Sequence, residues 1–471
     1  MICANKKVKD MQIAYIGGGS TGWAWGLMRD LALEEALSGT VRLYDIDMEA
    51  AKKNEIIGNS FFDREGVVGK WKYTAVNSLE QALTRADFVI ISILPGTMKE
   101  MESDVHLPER LGIYQSVGDT AGPGGIIRSL RTVPMFVTIA EAIRDYAPNA
   151  WVINYTNPMT LCVKTLYHAF PEIKAFGCCH EVFGTQEFLR DVYKDVRGVS
   201  DVDRQDIEAN VIGINHFTWF TDATYQGEDL FPVLEEYMKK NYRNASAVAF
   251  KDDNWMSTSS YFSSTNQVKM DLYRRFGCLA AAGDRHLAEF MPSTEYLNDP
   301  DMVAGWQFAL TPVSWRLEDL AERQGDSKQI LNGTYELPLT PSGEEGVMLI
   351  KALLGLGKMI SNVNIPNTYK QIGNLPTDAV VETNALFERD HIRPVIAGDM
   401  PEGILELTMP HVENHERVLK AAIECDKELV VEAFLHDPQI KAKNLSEADV
   451  RALVDDMIAN TKNYLPQGWK L

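Results

Sequence analysis

The sequence predicts an α/β fold in which an N-terminal Rossmann-like domain, a doubly wound parallel sheet, precedes a mixed α+β domain. Two observations support this prediction. Short apolar runs alternate with helical patterns up to about residue 205, and a glycine-rich turn directly follows the first of these runs. Beyond that point helical patterns dominate. We therefore assign residues 1–205 to the Rossmann-like domain and residues 206–471 to the α+β domain.

The first half predicts strands and helices in alternation. Strands are expected at Met11–Ile16, Val41–Tyr44, Ala86–Leu94 and Trp151–Tyr155. Helices are expected at Trp23–Ala36, from Met48 onward and at Val133–Tyr146. Neighbouring parallel strands need a crossover connection, which is usually a helix. The alternation is therefore typical of a parallel sheet that is covered by helices.

The second half predicts fewer strands. Val211–Trp219 has the pattern of a strand, and Asn374–Phe387 that of a strand and turn. Helices are expected at Val268–Phe276, Trp306–Arg323, Gly346–Ile360 and Pro410–Leu435. The stretch Asn241–Gln267 is polar and rich in Ser and Asn, so we expect a long loop there. With Trp255 inside it, this loop is a candidate for a lid or for a contact between subunits.

Composition excludes several classes of protein. The chain has 471 residues, of which 45% are hydrophobic, and a formal net charge of −20. Nucleic-acid binding needs clustered Lys and Arg, so this charge argues against a nucleic-acid partner. No apolar run approaches the roughly 18 residues of a membrane span, and we expect neither a membrane anchor nor a secretory signal. Six cysteines in so long a chain indicate the reducing cytoplasm rather than a disulfide framework.

A nucleotide-binding turn is predicted at the end of the first strand. It has the pattern Gly-x-Gly-x-x-Gly and contains Gly17, Gly19, Ser20, Thr21 and Gly22. Glycines permit a tight turn and let a pyrophosphate approach the N-terminus of the next helix. Asp45 follows about twenty residues later, where an acid accepts a hydrogen bond from the ribose 2′-hydroxyl. This favours NAD, although the nearby Arg42 leaves NADP as an alternative. The structural alternative is a glycine-rich turn that binds no nucleotide.

A second feature combines a thiol with imidazoles. Cys179 and His180 are adjacent, and His216 lies on the predicted strand Val211–Trp219. Thiolate and imidazole are ligands for Zn, Fe, Co, Ni or Mn, so ligand type alone does not name the ion. A buried structural cysteine and a core histidine are the alternative. A metal-free Cys179 beside His180 is further expected to have a lowered pKa and to be sensitive to oxidation.

Three polar clusters are further candidates for a binding site. They centre on Asp119, on Asn157, and on the consecutive residues Asp284, Arg285 and His286. Asp119 opens a run too rich in glycine for the interior of a helix, and Asn157 follows a predicted strand at the edge where α/β sheets bind ligands. The alternatives are a tight surface turn at Asp119, Asn-Pro turn chemistry at Asn157 and a solvated run of charges at 284–289.

Together these motifs resemble glycoside hydrolase family 4, the glycosidases that depend on NAD and a divalent metal. The likeness extends nearly end to end. Besides the glycine turn and Asp45, it rests on the ordered motifs Gln115–Gly125, Leu130–Pro134, Asn154–Pro158, Cys179-His180, Asn215-His216 and Asn374–Pro376. The resemblance implies a fold like that of lactate and malate dehydrogenases. It also implies NAD and a divalent ion, Mn²⁺, as cofactors.

The resemblance further implies a mechanism. The sugar is oxidised at C3 by hydride transfer to NAD⁺, the ketone acidifies the C2 proton, and the metal stabilises the enediolate as a Lewis acid. A base removes the C2 proton, and the C1 leaving group departs with acid assistance. Water then adds to C1 and the hydride returns, so that no net oxidation takes place.

Residue roles are implied by position in the family motifs. Cys179 and His216 correspond to the metal ligands, and Asn157 to a contact with a sugar hydroxyl. His180 corresponds to the histidine of members that act on unphosphorylated α-glycosides and is expected as the acid near the leaving group. Asp119 is expected to contact the substrate.

The C2 base is implied less directly. Many phospho-sugar members use a tyrosine, and both Tyr273 and Asp284 fall in the corresponding region. We favour Asp284 because it abuts Arg285 and His286, which are themselves expected to contact the substrate.

The stretch Cys179-His180-Glu181-Val182 resembles the variant found in α-galacturonidases. The α-galactosidases and α-glucosidases tend to have a small residue after the histidine. A uronate needs a cation for its C6 carboxylate, and Arg285 or Arg128 is expected to supply a bidentate contact. Glu181, in the substrate site, would repel that carboxylate, so it is expected to point away or to pair with an arginine. Residues 94–108 lack the arginines of the phospho-sugar members, which argues against a phosphorylated substrate.

The predicted function is cleavage of α-linked galacturonides by a cytoplasmic homodimer or homotetramer whose only other partner is the small glycoside. An α-galactosidase or α-glucosidase is the alternative within the family. A 2-hydroxyacid dehydrogenase of the lactate or malate type is the alternative from another class, since it shares the cofactor domain. Such a dehydrogenase would accumulate NADH in proportion to substrate and would not need a metal.

Overall fold

One sheet of fourteen strands organises the part of the chain that the structure describes. The structure is a computed structural model that describes residues 2–4, 6–242, 261–262 and 264–469. The strands are β1 (Ile2–Ala4), β2 (Lys7–Ile16), β3 (Leu37–Tyr44), β4 (Lys70–Ala75), β5 (Phe88–Ile91), β6 (Trp151–Asn154), β7 (Lys174–Gly177), β8 (Ile207–Ile214), β9 (Phe217–Tyr225), β10 (Glu228–Asp229), β11 (Leu279–Ala280), β12 (Met359–Pro366), β13 (Val380–Glu388) and β14 (His391–Pro394).

Helices connect these strands and form a C-terminal bundle. They are α1 (Trp23–Ala32), α2 (Met48–Ser60), α3 (Leu79–Leu83), α4 (Met98–His106), α5 (Gly122–Tyr146), α6 (Met159–Ala169), α7 (Glu181–Arg197), α8 (Leu230–Asn241), α9 (Gln267–Phe276), α10 (Asp284–Phe290), α11 (Ser293–Tyr296), α12 (Pro300–Gly305), α13 (Val313–Leu331), α14 (Gly346–Leu353), α15 (Glu402–Glu424), α16 (Lys427–His436), α17 (Pro438–Lys441) and α18 (Glu447–Thr461). Short 3-10 helices cover Leu107–Leu111, Arg204–Asp206 and Lys462–Tyr464.

The N-terminal part of the sheet is parallel. Strands β4, β3, β2, β5, β6 and β7 lie side by side in that order and run in the same direction. The chain order reverses at β2, which has β3 on one side and β5 on the other. A reversal of this kind opens a crevice at the carboxyl ends of the strands, where α/β sheets bind ligands. The predicted Rossmann-like α/β class is confirmed.

Both faces of the parallel strands are buried. Ile13 and Tyr15 of β2 pack in one apolar cluster, whereas Ala14 and Ile16 pack in another on the opposite face. Successive residues of a strand point to opposite faces, so burial of both faces produces a continuous apolar run. This explains why the first half of the sequence shows unbroken rather than alternating hydrophobic strands.

The same sheet continues into the C-terminal half as an antiparallel extension. β12 joins β7 where Asn364 lies opposite Gly177, and β13, β8, β9 and β10 follow. The halves also interlock beyond the sheet, because the Ser342 N–H of the second half donates to Asp30 of the first at 2.8 Å. The boundary between residues 205 and 206 therefore lies where the sheet changes from parallel to antiparallel pairing. That two domains meet there stays a prediction.

Helix α5 begins at Gly122 rather than at Val133. The run that follows Asp119, which we expected to be too rich in glycine for a helix, forms its first turn. Packing requires these glycines, since a Cβ at Gly124 would lie 2.5 Å from the Gly118 carbonyl oxygen. Pro123 suits this turn because the N–H that it lacks would have no helical partner there. Asp119 is thereby held just ahead of a helix N-terminus.

The predicted single strand Val211–Trp219 is a hairpin. β8 and β9 are joined by the two-residue turn Asn215–His216, with Ile214 opposite Phe217. His216 has a φ of 64°, in the left-handed region. Apolar residues on both sides of the turn are buried, so the hydrophobic run hides it. The prediction that His216 lies on a strand is wrong, and the tight turn presents it at the end of the hairpin.

Other boundaries also differ from the predictions. The differences are that α1 ends at Ala32, that α13 covers Val313–Leu331, that Gly346–Ile360 divides into α14 and β12, and that Pro410–Leu435 divides between α15 and α16. The last break falls at Cys425, whose φ of 54° ends α15. Apolar periodicity continues across each junction, which is why it does not mark the breaks.

Two further expectations concern membranes and the polar loop. None of the helices in the described parts of the chain combines the length and apolar character needed to cross a lipid bilayer. Most of the predicted loop Asn241–Gln267, including Trp255, lies outside the described residues.

Candidate functional site

Most of the predicted site residues collect at the carboxyl edge of the parallel strands. β2 ends immediately before the glycine turn, and β7 ends two residues before Cys179. The β8–β9 turn reaches the same place, because Nδ1 of His216 lies 3.2 Å from the Thr120 hydroxyl. The start of α10 does so too, since the rings of His216 and His286 are 3.8 Å apart between centroids. Segments that are distant in sequence therefore meet at one edge.

The glycine turn has little room for side chains. The N–H groups of Gly17 and Gly18 both donate to the Tyr44 carbonyl at 2.9 Å. Gly17 has a φ of +92°, and a Cβ there would lie 1.9 Å from the Ser92 carbonyl oxygen. At Gly19 a Cβ would lie 2.9 Å from a carboxylate oxygen of Asp45. Only glycine fits these positions, and a bare backbone can approach a phosphate closely.

Asp45 follows β3 and braces the turn. One carboxylate oxygen accepts the Gly19 N–H at 2.9 Å, and the other accepts the Asp47 N–H at 2.9 Å. Burial raises the pKa of Asp45. Each oxygen keeps a second acceptor position, so the carboxylate can still receive a hydroxyl. Arg42, the basis of the NADP alternative, instead donates to the backbone carbonyls of Gln81 and Thr84.

Ser20, Thr21 and Gly22 complete the turn. The Ser20 hydroxyl oxygen accepts the Gly22 N–H at 3.3 Å and the Trp23 N–H at 3.2 Å at the start of α1. A cavity of about 260 Å³ opens beside Gly22 and Trp23 and extends to His180. The glycine turn and the residue after Cys179 therefore border one space.

Cys179 lies just beyond β7 and is 8% exposed. Its carbonyl accepts a hydrogen bond from Asn362 at 3.1 Å. Burial, followed by the charges of Glu382 and Glu181, raises the pKa of the Cys179 thiol well above its usual value. The expected lowering of this pKa by His180 is therefore wrong. A bound metal cation would reverse the shift, because coordinating thiols lose their proton.

His216 is the second predicted ligand and is also buried. Burial and the adjacent His286 lower the pKa of His216 to about 3. The imidazole is therefore neutral at pH 7 and has a lone pair available, as a metal ligand must. Both Cys179 and His216 are close to Glu181, whose charge acts on each of them.

Glu181 begins α7 and faces the imidazoles. One of its oxygens accepts the Gly283 N–H at 2.6 Å, and the other lies 3.6 Å from Nε2 of His286. Burial opposes ionisation of Glu181, but His286 and His216 outweigh it, and the pKa lies well below its ordinary value. The expectation that Glu181 points away from the site or pairs with an arginine is wrong, because its partners are an imidazole and a backbone N–H.

Asp119 and Asn157 border the same cluster. Burial alone would raise the pKa of Asp119, but Arg128, His286 and His216 hold it well below its ordinary value. Arg128 also donates to the Asn157 carbonyl at 3.1 Å. The buried side-chain oxygen of Asn157 has no hydrogen-bond partner among the described residues. Asp119 is thus not in a surface turn, and the Asn157 amide is available to a ligand.

His180 faces the cavity beside the glycine turn. Its Nδ1 lies 2.8 Å from a carboxylate oxygen of Glu344, and its ring stacks on Trp23 at a centroid distance of 6.1 Å. The hydrogen bond with Glu344 raises the pKa of His180 to about 9. The imidazole is therefore held in a fixed orientation and protonated at neutral pH.

Asp284 is fully buried in the first turn of α10. One oxygen accepts the Lys269 N–H at 3.0 Å, near the start of α9, and the other has no hydrogen-bond partner among the described residues. Burial raises the pKa of Asp284 to about 6, against the opposing charge of Lys269. The carboxylate anchors one helix and keeps one oxygen for a further proton.

The structure does not bring Tyr273 to this cluster. Its hydroxyl donates to Glu235 on α8 at 3.1 Å. The residue lines a different cavity, of about 440 Å³, which shares no residue with the cavity beside the glycine turn. Of the two candidate bases, Tyr273 therefore has no geometric support, and Asp284 is retained.

The charged residues in the stretch 284–289 are buried. This excludes the alternative that the stretch is a run of solvent-exposed charges. Arg285 is 8% exposed, and Glu289 is fully buried. Glu289 accepts the N–H groups of Val117 and Gly118 at 2.7 and 2.9 Å, so it ties α10 to the segment before α5.

Three further residues at the site escaped sequence reasoning. Glu382 of β13 accepts a hydrogen bond from Asn362 at 2.6 Å beside Cys179, and burial raises its pKa to about 7. Glu344 pairs with His180, and Arg316 of α13 acts on Asp119. Each is a single charged residue outside the motifs, and none gave a signal in the sequence.

Cys179 and His216 are the two predicted metal ligands, and a metal there would need further ligands. Within the described ranges, no three His, Cys, Asp or Glu side chains are grouped so as to hold an ion. Cys179 and His216 would thus leave coordination positions open to water or substrate, as catalytic metal sites do. The buried Nδ1 of His286 has no hydrogen-bond partner among the described residues, which fits a site that is completed by a ligand.

Comparison with known proteins is consistent over the whole chain. Residues 12–194 match the family described as Family 4 glycosyl hydrolase, and residues 211–440 match its C-terminal domain. An alpha-galacturonidase of Lachnoclostridium phytofermentans is 60% identical over 99% of this chain and 99% of its own. An alpha-galacturonidase of Bacillus subtilis is 49% identical over 95% and 97%. An alpha-galactosidase of the same organism is 30% identical over 97% and 99%.

Solved structures show the same architecture. The Bacillus subtilis protein lplD has a TM-score of 0.88 at 49% identity, over 96% of this chain and 100% of its own. A 6-phospho-alpha-glucosidase from gut microorganisms, in complex with NAD and Mn²⁺, has a TM-score of 0.78 at 21% identity, over 98% and 100%. At that identity the likeness concerns the fold.

Proposed function

Because the chain belongs to glycosyl hydrolase family 4, we propose that it cleaves α-linked galacturonides with NAD and Mn²⁺ as cofactors. The relatives named alpha-galacturonidase, at 49–60% identity, support this sugar more strongly than the alpha-galactosidase at 30% identity does. The complex of a more distant relative with NAD and Mn²⁺ is consistent with both cofactors. The residues of this chain supply the chemical argument.

One observation carries the proposal: the cavity that starts at the glycine turn ends at His180, the neighbour of Cys179. A redox cofactor bound at the turn and a Lewis acid bound at Cys179 would be neighbours and could act on one substrate. Transient oxidation of a sugar beside a metal makes its glycosidic bond labile without net oxidation, which gives both features a role in hydrolysis.

The residues present fit both groups. Gly17, Gly19 and Gly22 form a turn without side chains, and Asp45 lies beside it for a ribose hydroxyl. Cys179 and His216 suit a divalent ion, which would leave space for two sugar oxygens. When bound, NAD supplies a hydride acceptor for C3 and the ion a Lewis acid for the oxygens on C2 and C3.

The protein's own acid and base complete the mechanism. Asp284 accepts the C2 proton through its free oxygen, and its pKa of about 6 suits a base that works near neutral pH. His180, oriented by Glu344, donates a proton to the leaving oxygen at C1. Asn157 holds a sugar hydroxyl through its unpaired amide oxygen. Asp119 stays ionised and orients the imidazoles.

The proposal includes a reducing cytoplasmic location and a homodimer or homotetramer. Cys162, Cys178, Cys179, Cys278 and Cys425 are all free of disulfides, as a reducing compartment requires. Light scattering of the purified protein tests the oligomer, for which a monomeric mass would be the contrary result.

Substrate and metal dependence test the proposal directly. With NAD⁺, Mn²⁺ and a thiol reductant, we expect 4-nitrophenyl α-galacturonide to be cleaved with a kcat/KM at least about 100-fold above that of the α-galactoside, because a site built for a charged group rejects the analogue that lacks it. EDTA is expected to abolish cleavage and added Mn²⁺ to restore it. The β-galacturonide is the control. Cleavage of the galactoside with the galacturonide left intact, or full activity in EDTA, would contradict the proposal.

A further inference from the structure

Two arginines from different helices meet beside this cluster. Arg285 lies in the first turn of α10, and Arg316 lies near the start of α13. Both guanidinium groups lie against the ring of Phe262, at 4.7 Å and 6.0 Å from its centroid. Burial is the largest cause that lowers the pKa of Arg285 to about 10, and the charge of Arg316 is the second. The two positively charged guanidinium groups therefore lie close to each other.

Among the described residues, neither arginine has a carboxylate partner in direct contact. In the parts of the chain that the structure describes, no acidic oxygen lies within 4.0 Å of either guanidinium group. The guanidinium group of Arg285 donates to the Ser116 carbonyl at 3.2 Å. The Nε atoms of Arg285 and Arg316 are both buried and make no hydrogen bond to a described residue. Buried donors of this kind are costly unless a ligand accepts from them.

The third arginine of the region differs in this respect. Arg128 is buried next to Asp119, whose charge is the largest favourable influence on it. Its Nε donates a hydrogen bond to the Asn157 carbonyl at 3.1 Å. Arg128 therefore uses its Nε within the protein, whereas the Nε atoms of Arg285 and Arg316 make no hydrogen bond to a described residue.

The arginine pair lies beside the reacting groups. Arg285 directly precedes His286, whose ring contacts that of His216 at a centroid distance of 3.8 Å. Arg316 and His216 both act on the charge of Asp119. The arginine pair and His216 therefore lie around the same carboxylate, that of Asp119.

We propose that Arg285 and Arg316 form a clamp for the C6 carboxylate of the uronide ring. This inference rests on the proposed function and names the residues that read the substrate's charge. Guanidinium groups bind carboxylates through parallel N–H donors, and the carboxylate would separate and neutralise two like charges. The sequence analysis expected Arg285 or Arg128 to bind this carboxylate. The clamp keeps Arg285 and adds Arg316, which the sequence did not single out.

The test compares two substrates in an Arg316→Gln variant. We expect kcat/KM for 4-nitrophenyl α-galacturonide to fall about 100-fold and that for the α-galactoside to stay within a few-fold of wild type, because removing one partner of a buried charged contact has an effect of this size. Arg316→Lys should recover part of the loss. Lys328→Gln removes one exposed charge from the same helix and should change neither value.

Binding of free sugars provides the second readout. Galacturonate is expected to inhibit the wild type more strongly than galactose or galactose 6-phosphate, and Arg316→Gln should abolish this difference. Stronger inhibition by the phosphate would assign the clamp to a phosphorylated sugar and overturn the proposal, as would an equal loss on both substrates. Failure of the wild type to cleave the galacturonide would instead reject the proposed function itself. NAD⁺ binding by each variant shows that it is folded.

Discussion

Replacing Cys179 with serine is expected to lower kcat/KM by at least about 1,000-fold while NAD⁺ still binds. A Lewis-acid metal contributes several kcal/mol to catalysis, and each 1.36 kcal/mol is about tenfold in rate. Serine has nearly the same shape, but its hydroxyl does not ionise near neutral pH and is a poor ligand for a divalent ion. The glycine turn is built from other segments, so its nucleotide site should persist. Hydrolysis of an aryl galacturonide and fluorescence titration with NAD⁺ measure the two effects.

The neighbouring Cys178 is the matched control. It packs against the apolar cluster on one face of the sheet and has no place in the proposed mechanism. Cys178→Ser should retain activity within a few-fold. Equal losses in the two variants would point to disturbed folding. Full Mn²⁺-dependent activity of Cys179→Ser would show that Cys179 is not a ligand.

Replacing Gly17 with alanine is expected to abolish NAD⁺ binding and to lower the free energy of unfolding by about 3 kcal/mol. The added Cβ would lie 1.9 Å from the Ser92 carbonyl oxygen, on a backbone with a φ of +92°. Overpacking and left-handed strain each cost about 1–3 kcal/mol, and the backbone must shift to relieve them. Urea unfolding measures stability, and fluorescence titration measures binding.

Gly184 provides the contrast. It lies within α7, and a Cβ there would meet nothing within 4 Å. Gly184→Ala should therefore keep NAD⁺ binding and should stabilise the protein by up to about 1 kcal/mol, the helix preference of alanine over glycine. Tight NAD⁺ binding by Gly17→Ala would show that the glycine turn is not the nucleotide site.

The features that could be predicted from sequence are local or belong to the family. The glycine turn, β2, β3 and Asp45 lie within one βαβ unit, where short-range rules hold, and the structure agrees there. The ordered motifs identified the family, which the match over residues 12–194 and 211–440 confirms. The segment that carries Cys179 was recognised in this way, whereas Asp284 was chosen because it abuts Arg285 and His286. The roles of both residues stay predictions.

The features that could not be predicted depend on long-range packing. The turn at His216 was hidden because both flanking strands are buried. The first turn of α5 was misjudged because its glycines serve close backbone packing rather than a loop. Tyr273 was a reasonable candidate by position, yet α9 directs its hydroxyl toward Glu235. Arg316 and Glu344 reach the site from segments without any motif.

Both halves of the chain contribute predicted site residues to one edge of the sheet. The Rossmann-like half provides the glycine turn and Cys179, whereas His216 and Asp284 come from the antiparallel half and the helix beyond it. Continuity of the sheet across β7 and β12 fixes these elements relative to each other. In the proposed mechanism, a pocket built from both halves would oxidise the sugar and activate its C2 position without moving the substrate.

Hydrolysis in heavy water tests the central claim most directly. If the C2 proton is removed in the course of cleavage, galacturonate released from an aryl α-galacturonide in D₂O should contain deuterium at C2, as measured by NMR, and no net NADH should accumulate. Galacturonate incubated with the enzyme after cleavage serves as the control for later exchange. Product that retains its C2 proton, or NADH formed in proportion to product, would contradict the account.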